Sequence, residues 1–174
     1  ESVERAIQGG VSVVQLREKE ASSRELFELA KRVKRVTDKY DVPLIINDRL
    51  DICLAVDAAG VHLGQTDLPC SEARRILGAE KIIGVSAATP EEAAKAQSDG
   101  ADYLGVGAVF ATSTKTNTRP VTAETIRAIR SAVDIPFVVI GGVNSENISG
   151  LHGLGINGAA VISAIISQPD ITAA

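Results

Sequence analysis

Short apolar stretches alternate with longer amphipathic stretches along the whole chain. Each apolar stretch has the length and the Val, Ile, Leu and Ala content of a buried parallel strand, whereas the stretches between them carry apolar residues at helical spacing. On this basis seven strands are predicted, over residues 11–17, 43–47, 60–63, 81–85, 102–107, 136–140 and 158–162. Strict alternation of strands and helices is typical of a parallel sheet covered by helices.

Residues that favour helix starts follow several of these strands. Ser22 and Glu25 have the spacing of a capping box, in which each side chain binds the backbone N–H of the other residue. Thr89 precedes Pro90, a residue favoured at the first helical position. Further helices are predicted over residues 51–56, 71–77, 122–133 and 144–151.

The pattern predicts one α/β domain over residues 1–174, because no linker-like stretch divides the chain. An open doubly wound sheet and a closed (β/α)8 TIM barrel both fit the alternation. The barrel is favoured, because no strand is followed by a G-x-G-x-x-G turn or a P-loop and polar residues follow nearly every strand. The first of eight strands would then precede Glu1, and we expect a chain truncated at its N-terminus and at its C-terminus.

The composition argues against several classes of function. The chain has 174 residues, a net charge of -4 and 3% aromatic residues, which is not the composition of a nucleic-acid-binding protein. No apolar run approaches the roughly 20 residues that cross a bilayer. Cys53 and Cys70 are too few for a disulfide framework or a zinc site and are expected to be reduced bystanders. We expect a cytoplasmic protein without nucleic-acid or membrane partners, and association into homo-oligomers stays open.

Cationic and amide side chains end the first predicted strand, whose sequence is QLREK over residues 15–19. Strand alternation places Gln15, Arg17 and Lys19 on one face, an arrangement that suits a phosphate or diphosphate group. The alternative is that the two cations only pair with neighbouring glutamates on the surface. Ser86 adds a hydroxyl at the end of the fourth strand.

Two aspartates follow neighbouring strands. Asp48 comes directly after the second predicted strand, and Asp67 comes shortly after the third. The carboxyl ends of parallel strands meet at one edge, so the two carboxylates are expected to lie together and to bind Mg²⁺ with water and phosphate oxygens. Asp48 could instead cap the helix that follows it. His62, inside the third strand, is expected to be a hydrogen-bonded structural residue rather than a catalytic one.

A second anion site is predicted at the later strands. The fifth strand leads into TSTK at residues 112–115, where hydroxyls and an ammonium group could bind an anion, although a polar surface loop is the alternative. Gly142 follows the sixth strand and Ser163 follows the seventh. Glycines there expose backbone N–H groups, and loops after the last two strands of a barrel often bind phosphate.

Taken together, the motifs resemble those of the thiamin phosphate synthase family. They are QLREK at residues 15–19, IND at 46–48, VHLGQTD at 61–67, GVS at 84–86, TSTK at 112–115, IGG at 140–142 and VIS at 161–163. The resemblance covers essentially the whole chain. It implies a (β/α)8 barrel enzyme that joins 4-amino-2-methyl-5-(diphosphooxymethyl)pyrimidine to a thiazole phosphate. The products would be thiamin phosphate and diphosphate, formed by Mg²⁺-assisted dissociative substitution.

The resemblance also implies roles for individual residues. The implied catalytic residues are Arg17, Lys19, Ser86 and Lys115. The residues implied to bind the two small-molecule substrates are Gln15, Leu16, Arg17, Glu18, Lys19, Asn47, Ser86, Thr112, Ser113, Thr114, Lys115, Gly142, Ile162 and Ser163. Mg²⁺ is the implied cofactor, and its implied ligands are Asp48 and Asp67.

Two other functions remain open on the sequence. One is a thiazole tautomerase-like isomerase on the same scaffold, which would bind only the phosphate. The pairing of Asp48 and Asp67 with the TSTK stretch argues against it, because a tautomerase has no departing diphosphate to neutralise. The other is a remnant that binds ligand without turnover.

Overall fold

The computed structural model describes residues 1–111 and 120–174. Its strands are β1 (Val14–Leu16), β2 (Leu44–Asn47), β3 (Gly60–Leu63), β4 (Ile82–Ala87), β5 (Tyr103–Gly107), β6 (Phe137–Ile140) and β7 (Gly158–Ala160). Its α-helices are α1 (Ser2–Gln8), α2 (Ser23–Lys39), α3 (Leu50–Ala55), α4 (Cys70–Leu77), α5 (Pro90–Ser98), α6 (Ala123–Ala132) and α7 (Ser163–Ile166). A 3₁₀ helix (Ile148–Leu151) lies between β6 and β7.

Within the described residues, the strands form one curled, seven-stranded parallel sheet in which chain order is also spatial order. Register partners include Asn47 with His62, His62 with Gly84, and Gly84 with Tyr103. Register partners in a parallel sheet point to the same face, so these four residues form a row across the concave side. The predicted α/β fold is therefore confirmed, with strands and helices in the expected order.

The hydrophobic core lies between the convex face of the sheet and the helices. Strand residues alternate, so every second side chain enters this layer while its neighbours face the concave side. The buried strand residues in the core are Leu44, Ile46, Val61, Leu63, Ile83, Val85, Leu104, Val106, Phe137 and Val139. Helix α2 adds Leu26, Ala30 and Val33, and α6 adds Ile126 and Ile129. The concave face carries polar residues and glycines together with some apolar residues, such as Ile45 and Val138.

Two predicted helix starts are confirmed. The Ser22 hydroxyl accepts a hydrogen bond from the backbone N–H of Glu25 at 3.3 Å, and the Glu25 carboxylate accepts one from the N–H of Ser22 at 2.9 Å. Thr89 accepts a bond from the N–H of Glu92 at 3.2 Å, with Pro90 at the first helical position. No helix in the described parts of the chain is both long and apolar enough to span a bilayer.

The predicted helix over residues 144–151 is wrong. Its second half is the 3₁₀ helix, and its first half is a turn held by asparagine side chains. The side-chain carbonyl oxygen of Asn144 accepts hydrogen bonds from the backbone N–H groups of Glu146 and Asn147, at 2.9 and 3.2 Å. Such local side-chain bonds offer the backbone an alternative to an α-helix. The outer strands are also shorter than predicted: residues 11–13 and Arg17 lie outside β1, and residues 161–162 lie outside β7. Strand alternation therefore does not extend to Arg17 and Lys19, which lie in the loop after β1.

Candidate active site

The loops that follow β1, β2 and β3 meet at the carboxyl edge of the sheet, which is called the rim below. The Lys19 ammonium nitrogen lies 2.8 Å from a carboxylate oxygen of Asp48. A side-chain hydrogen bond also joins Asp48 to Asp67. The structure therefore brings together the two aspartates and one predicted cation, and the Lys19 pairing is with Asp48 rather than with a neighbouring glutamate.

The backbone holds Asp48 in an uncommon conformation at the tip of β2. Its φ is 63°, in the left-handed region, and its N–H donates to the carbonyl of His62 at 2.9 Å. Asp and Asn tolerate this region better than most residues. The N-cap of α3 is Arg49, with no capping side-chain bond. The alternative role of Asp48 as a helix cap is therefore wrong, and its carboxylate is directed to the rim.

Asp67 is fixed by the turn that follows β3. Its carboxylate accepts a hydrogen bond from the backbone N–H of Gly64 at 2.7 Å. Within the same turn, the Gln65 side-chain amide donates to the carbonyl of Ser86 at 2.6 Å. The turn thus ties the rim of β3 to the rim of β4.

The pKa values of the two carboxyl groups are shifted in opposite directions. Burial alone would raise the pKa of Asp48, but hydrogen bonds with Asp67 and Lys19 and the charge of Arg17 outweigh it, so this pKa lies below its usual value. Burial and then the Asp48 carboxylate raise the pKa of Asp67. A bound cation would relieve the repulsion of two adjacent carboxylates.

These donors fit a Mg²⁺ ion that is bound together with a phosphate ligand. Mg²⁺ usually binds to one or two carboxylates and takes its remaining ligands from water and substrate phosphates. Residues 1–111 and 120–174 contain no group of three or more His, Cys, Asp or Glu side chains placed to hold a metal. A cavity of about 150 Å³ opens beside the pair and is lined in part by Glu18, Lys19 and Asn47.

A chain of polar side chains crosses the concave face behind this rim. The Ser86 hydroxyl oxygen lies 2.9 Å from Nε2 of His62, and the Tyr103 hydroxyl oxygen lies 2.9 Å from Nδ1 of the same ring. Burial raises the pKa of Tyr103 to about 12, and the neighbouring side chain of Gln15 lowers it in part. His62 is buried and hydrogen-bonded as predicted. The partners of His62 place it directly behind Ser86, a predicted site residue.

The second predicted anion region lies at the ends of β6 and β7. The segment after β5 runs along β6, with the N–H of Phe110 donating to the carbonyl of Gly141 at 3.0 Å. The Asn147 amide donates to the carbonyl of Gly142 at 2.8 Å, and Gly142 has a φ of 65°. Ile162 is exposed just before α7, whose first residue is Ser163. The predicted residues Thr112, Ser113, Thr114 and Lys115 lie outside the described residues.

The roles of Tyr103 and Gly84 were not predicted from the sequence. A Cβ atom on Gly84 would lie 2.1 Å from Cζ of Tyr103, so glycine at this position makes room for the ring. The alternating glycines of residues 103–107, YLGVG, were a signal that one face of β5 is crowded. Both cysteines are buried, and burial raises the pKa of the Cys53 thiol to about 11, in line with a bystander role.

Comparisons with known proteins agree with this architecture. A family profile described as thiamine monophosphate synthase matches residues 1–165. The chain is 59% identical over 171 residues to a thiamine-phosphate synthase of Ruminiclostridium cellulolyticum, covering 98% of this chain and 81% of that protein. It is 54% identical over 171 residues to a thiamine-phosphate synthase of Clostridium botulinum, covering 98% and 80%.

A solved structure gives the same answer. The fold superimposes on a thiamine phosphate pyrophosphorylase from Pyrococcus furiosus with a TM-score of 0.91 and 42% sequence identity, covering 98% of this chain and 82% of that one. The fold thus defines an α/β protein with a curled, parallel, seven-stranded sheet. The chain belongs to the thiamine monophosphate synthase family.

Proposed function

We propose that this protein is a thiamin phosphate synthase. It would join 4-amino-2-methyl-5-(diphosphooxymethyl)pyrimidine to a thiazole phosphate and release diphosphate. The observation that carries the proposal is the contact of Asp48 with both Lys19 and Asp67 at the rim. It is supported by relatives with that activity in their names, at 59% and 54% identity.

The pyrimidine diphosphate is assigned to the edge formed by β1, β2 and β4. Lys19 and Arg17 bring positive charge to the diphosphate, and Asn47 and Glu18 lie at the cavity beside it. Leu16 and Gln15 belong to β1, next to this rim. Ser86 contributes a hydroxyl from β4. Lys115, outside the described residues, is proposed as a third cation.

Asp48 and Asp67 would hold Mg²⁺ at this edge. When bound, the ion supplies positive charge that stabilises the departing diphosphate. The side chains of the protein act around it. Lys19 and Arg17 neutralise negative charge that builds on the diphosphate oxygen as the carbon–oxygen bond breaks. The bond electrons leave with diphosphate, the aminopyrimidine delocalises the positive charge on its methylene carbon, and the thiazole nitrogen donates the new electron pair.

The thiazole phosphate is assigned to the ends of β5, β6 and β7. Gly142 packs closely against Phe110 and Ala111 of the segment after β5, and Ile162 and Ser163 lie where the chain leaves β7. Thr112, Ser113 and Thr114 are proposed to complete this subsite. Holding both substrates at one rim converts a bimolecular reaction into one between aligned neighbours, which is a large part of the work that such an enzyme must do.

We also propose that β1 to β7 are seven of the eight strands of a (β/α)8 TIM barrel, within a single domain over residues 1–174. The support is the topology: the described strands are all parallel, and they follow one another in chain order around a curled sheet. The two edge strands, β1 and β7, would each pair with the remaining strand. Closure would complete the concave face on which Gln15 and Ser86 lie.

The proposal is tested by incubating the protein with both phosphorylated precursors, with and without Mg²⁺, and measuring thiamin phosphate by chromatography and diphosphate by ³¹P NMR. We expect Mg²⁺-dependent formation of the two products in equal amounts. Isomerisation of a thiazole phosphate without diphosphate release would instead identify a tautomerase. Binding of either precursor without any product from the folded protein would identify a remnant, and both results would overturn the proposal.

A further inference from the structure

Two ring side chains lie behind the rim and are given no role by the proposed function. They are the buried His62 of β3 and the half-buried Tyr103 of β5, which lie in one row with Gly84 of β4 between them. His62 contacts Ser86 through Nε2 and Tyr103 through Nδ1, each at 2.9 Å. Tyr103 also contacts Gln15. Gln15 and Ser86, at the two ends of this series of four side chains, are both assigned to the pyrimidine diphosphate. His62 and Tyr103, between them, are not.

The sheet is shaped to hold both rings in place. A Cβ atom on Gly105 would lie 2.9 Å from Cε1 of His62, and one on Gly84 would lie 2.1 Å from Cζ of Tyr103. His62 is only 9% exposed. Rings packed against bare backbone in this way have little freedom to tilt, so the hydrogen bonds they make have defined directions.

The hydrogen bonds that join Tyr103, His62 and Ser86 can be given one consistent direction from donor to acceptor. A phenol O–H is a stronger hydrogen-bond donor than an aliphatic hydroxyl, so we assign the 2.9 Å contact to the Tyr103 O–H donating to Nδ1 of His62. The proton of a neutral imidazole then lies on Nε2, where it donates to the Ser86 oxygen. The Ser86 oxygen is then the acceptor, so its own hydrogen is available for donation to a ligand.

We propose that Tyr103 and His62 are positioning residues that make Ser86 a hydrogen-bond donor to the pyrimidine diphosphate and hold Gln15 in place on the opposite side. The inference rests on the proposed function for the identity of the ligand. The hydrogen-bond direction itself does not depend on turnover. His62 therefore acts through Ser86, and Tyr103 acts through both Gln15 and His62.

The first test determines which ring nitrogen of His62 carries the proton, and therefore the direction of its hydrogen bond with Ser86. The chain has two histidines, so a His152→Gln variant labelled with ¹⁵N leaves His62 as the only imidazole. We expect its NMR spectrum at neutral pH to show the neutral form with the proton on Nε2, whether or not the protein is active. A proton on Nδ1 would overturn the inference, because Ser86 would then have to donate to the ring.

The second test is kinetic and uses Tyr103→Phe, which removes the hydroxyl and keeps the ring. We expect kcat/KM for the pyrimidine diphosphate to fall about tenfold while KM for the thiazole phosphate stays within about twofold. Tyr40→Phe is the matched control, because the hydroxyl of Tyr40 binds Glu4 and Gln8 away from the site. It should match the wild type in both constants.

A double-mutant cycle separates positioning from simple structural damage. If Tyr103 acts through Ser86 and Gln15, the loss caused by Tyr103→Phe should shrink to about threefold or less in a Ser86→Ala background. A full tenfold loss in that background, or no loss in the wild-type background, would overturn the inference. If the wild type forms no product, the proposed function fails, while the NMR experiment still decides the hydrogen-bond direction.

Discussion

Replacing Asp48 with asparagine is expected to lower kcat/KM for the pyrimidine diphosphate about 100-fold or more. The change removes a charged metal ligand and the partner of Lys19 while keeping the size of the side chain. Asparagine also tolerates the left-handed backbone at this position, where φ is 63°. The free energy of unfolding should therefore change little, and the loss should appear in steady-state kinetics at saturating Mg²⁺.

Asp51→Asn is the matched control for this substitution. Asp51 lies three residues along the chain and pairs with Arg49, outside the carboxylate pair. Removing its charge should leave kcat/KM within about twofold, as expected for an exposed ion pair. Equal losses for Asp48→Asn and Asp51→Asn would mean that general electrostatics at this edge, rather than a specific carboxylate ligand, supports the reaction.

Substituting Gly84 with alanine is expected to destabilise the protein by about 2 kcal/mol, because the added Cβ overlaps the Tyr103 ring. The nearest ring atom would be 2.1 Å away, so Tyr103 must move from its place beside His62. Activity should also fall, because Tyr103 and His62 would no longer hold Ser86 in position. Urea unfolding monitored by circular dichroism measures the stability change.

A substitution at Gly150 is the control for this experiment, and a second substitution at Tyr103 tests whether the lost stability can be recovered. A Cβ on Gly150 meets no atom within 4 Å, so Gly150→Ala should not create an overlap. The double variant Gly84→Ala/Tyr103→Leu removes the ring atoms that collide and should recover part of the lost stability without recovering activity. Instability that persists unchanged in the double variant would show that the cost arises from the backbone at Gly84 rather than from the ring.

Much of the fold followed from the pattern of apolar stretches, because a parallel sheet buries the convex face of each strand and leaves a recognisable run of Val, Ile and Leu. The run at residues 60–63 matches β3 in both bounds. The pattern failed where side chains compete with the backbone, as Asn144 and Asn147 do after β6. A spacing rule for apolar residues does not detect such bonds.

The carboxylate pair of the site was predictable, and the chain of hydrogen bonds behind it was not. Asp48 and Asp67 follow neighbouring strands, so their meeting at one edge is a consequence of the topology. The contact of His62 with both Ser86 and Tyr103 depends on the stagger between three strands and on the space left by glycine. Residues 112–115 lie outside the described residues, so their role in the site stays a prediction.

The proposed reaction depends most on a divalent cation that binds at Asp48 and Asp67 together with diphosphate. Electron paramagnetic resonance of Mn²⁺, used in place of Mg²⁺, measures this directly by titrating the protein in the presence and absence of inorganic diphosphate. We expect one Mn²⁺ bound with diphosphate, much weaker binding without it, and loss of the bound ion in Asp48→Asn but not in Asp51→Asn. Binding of equal strength in both variants would contradict the account, because the ion would then lie elsewhere.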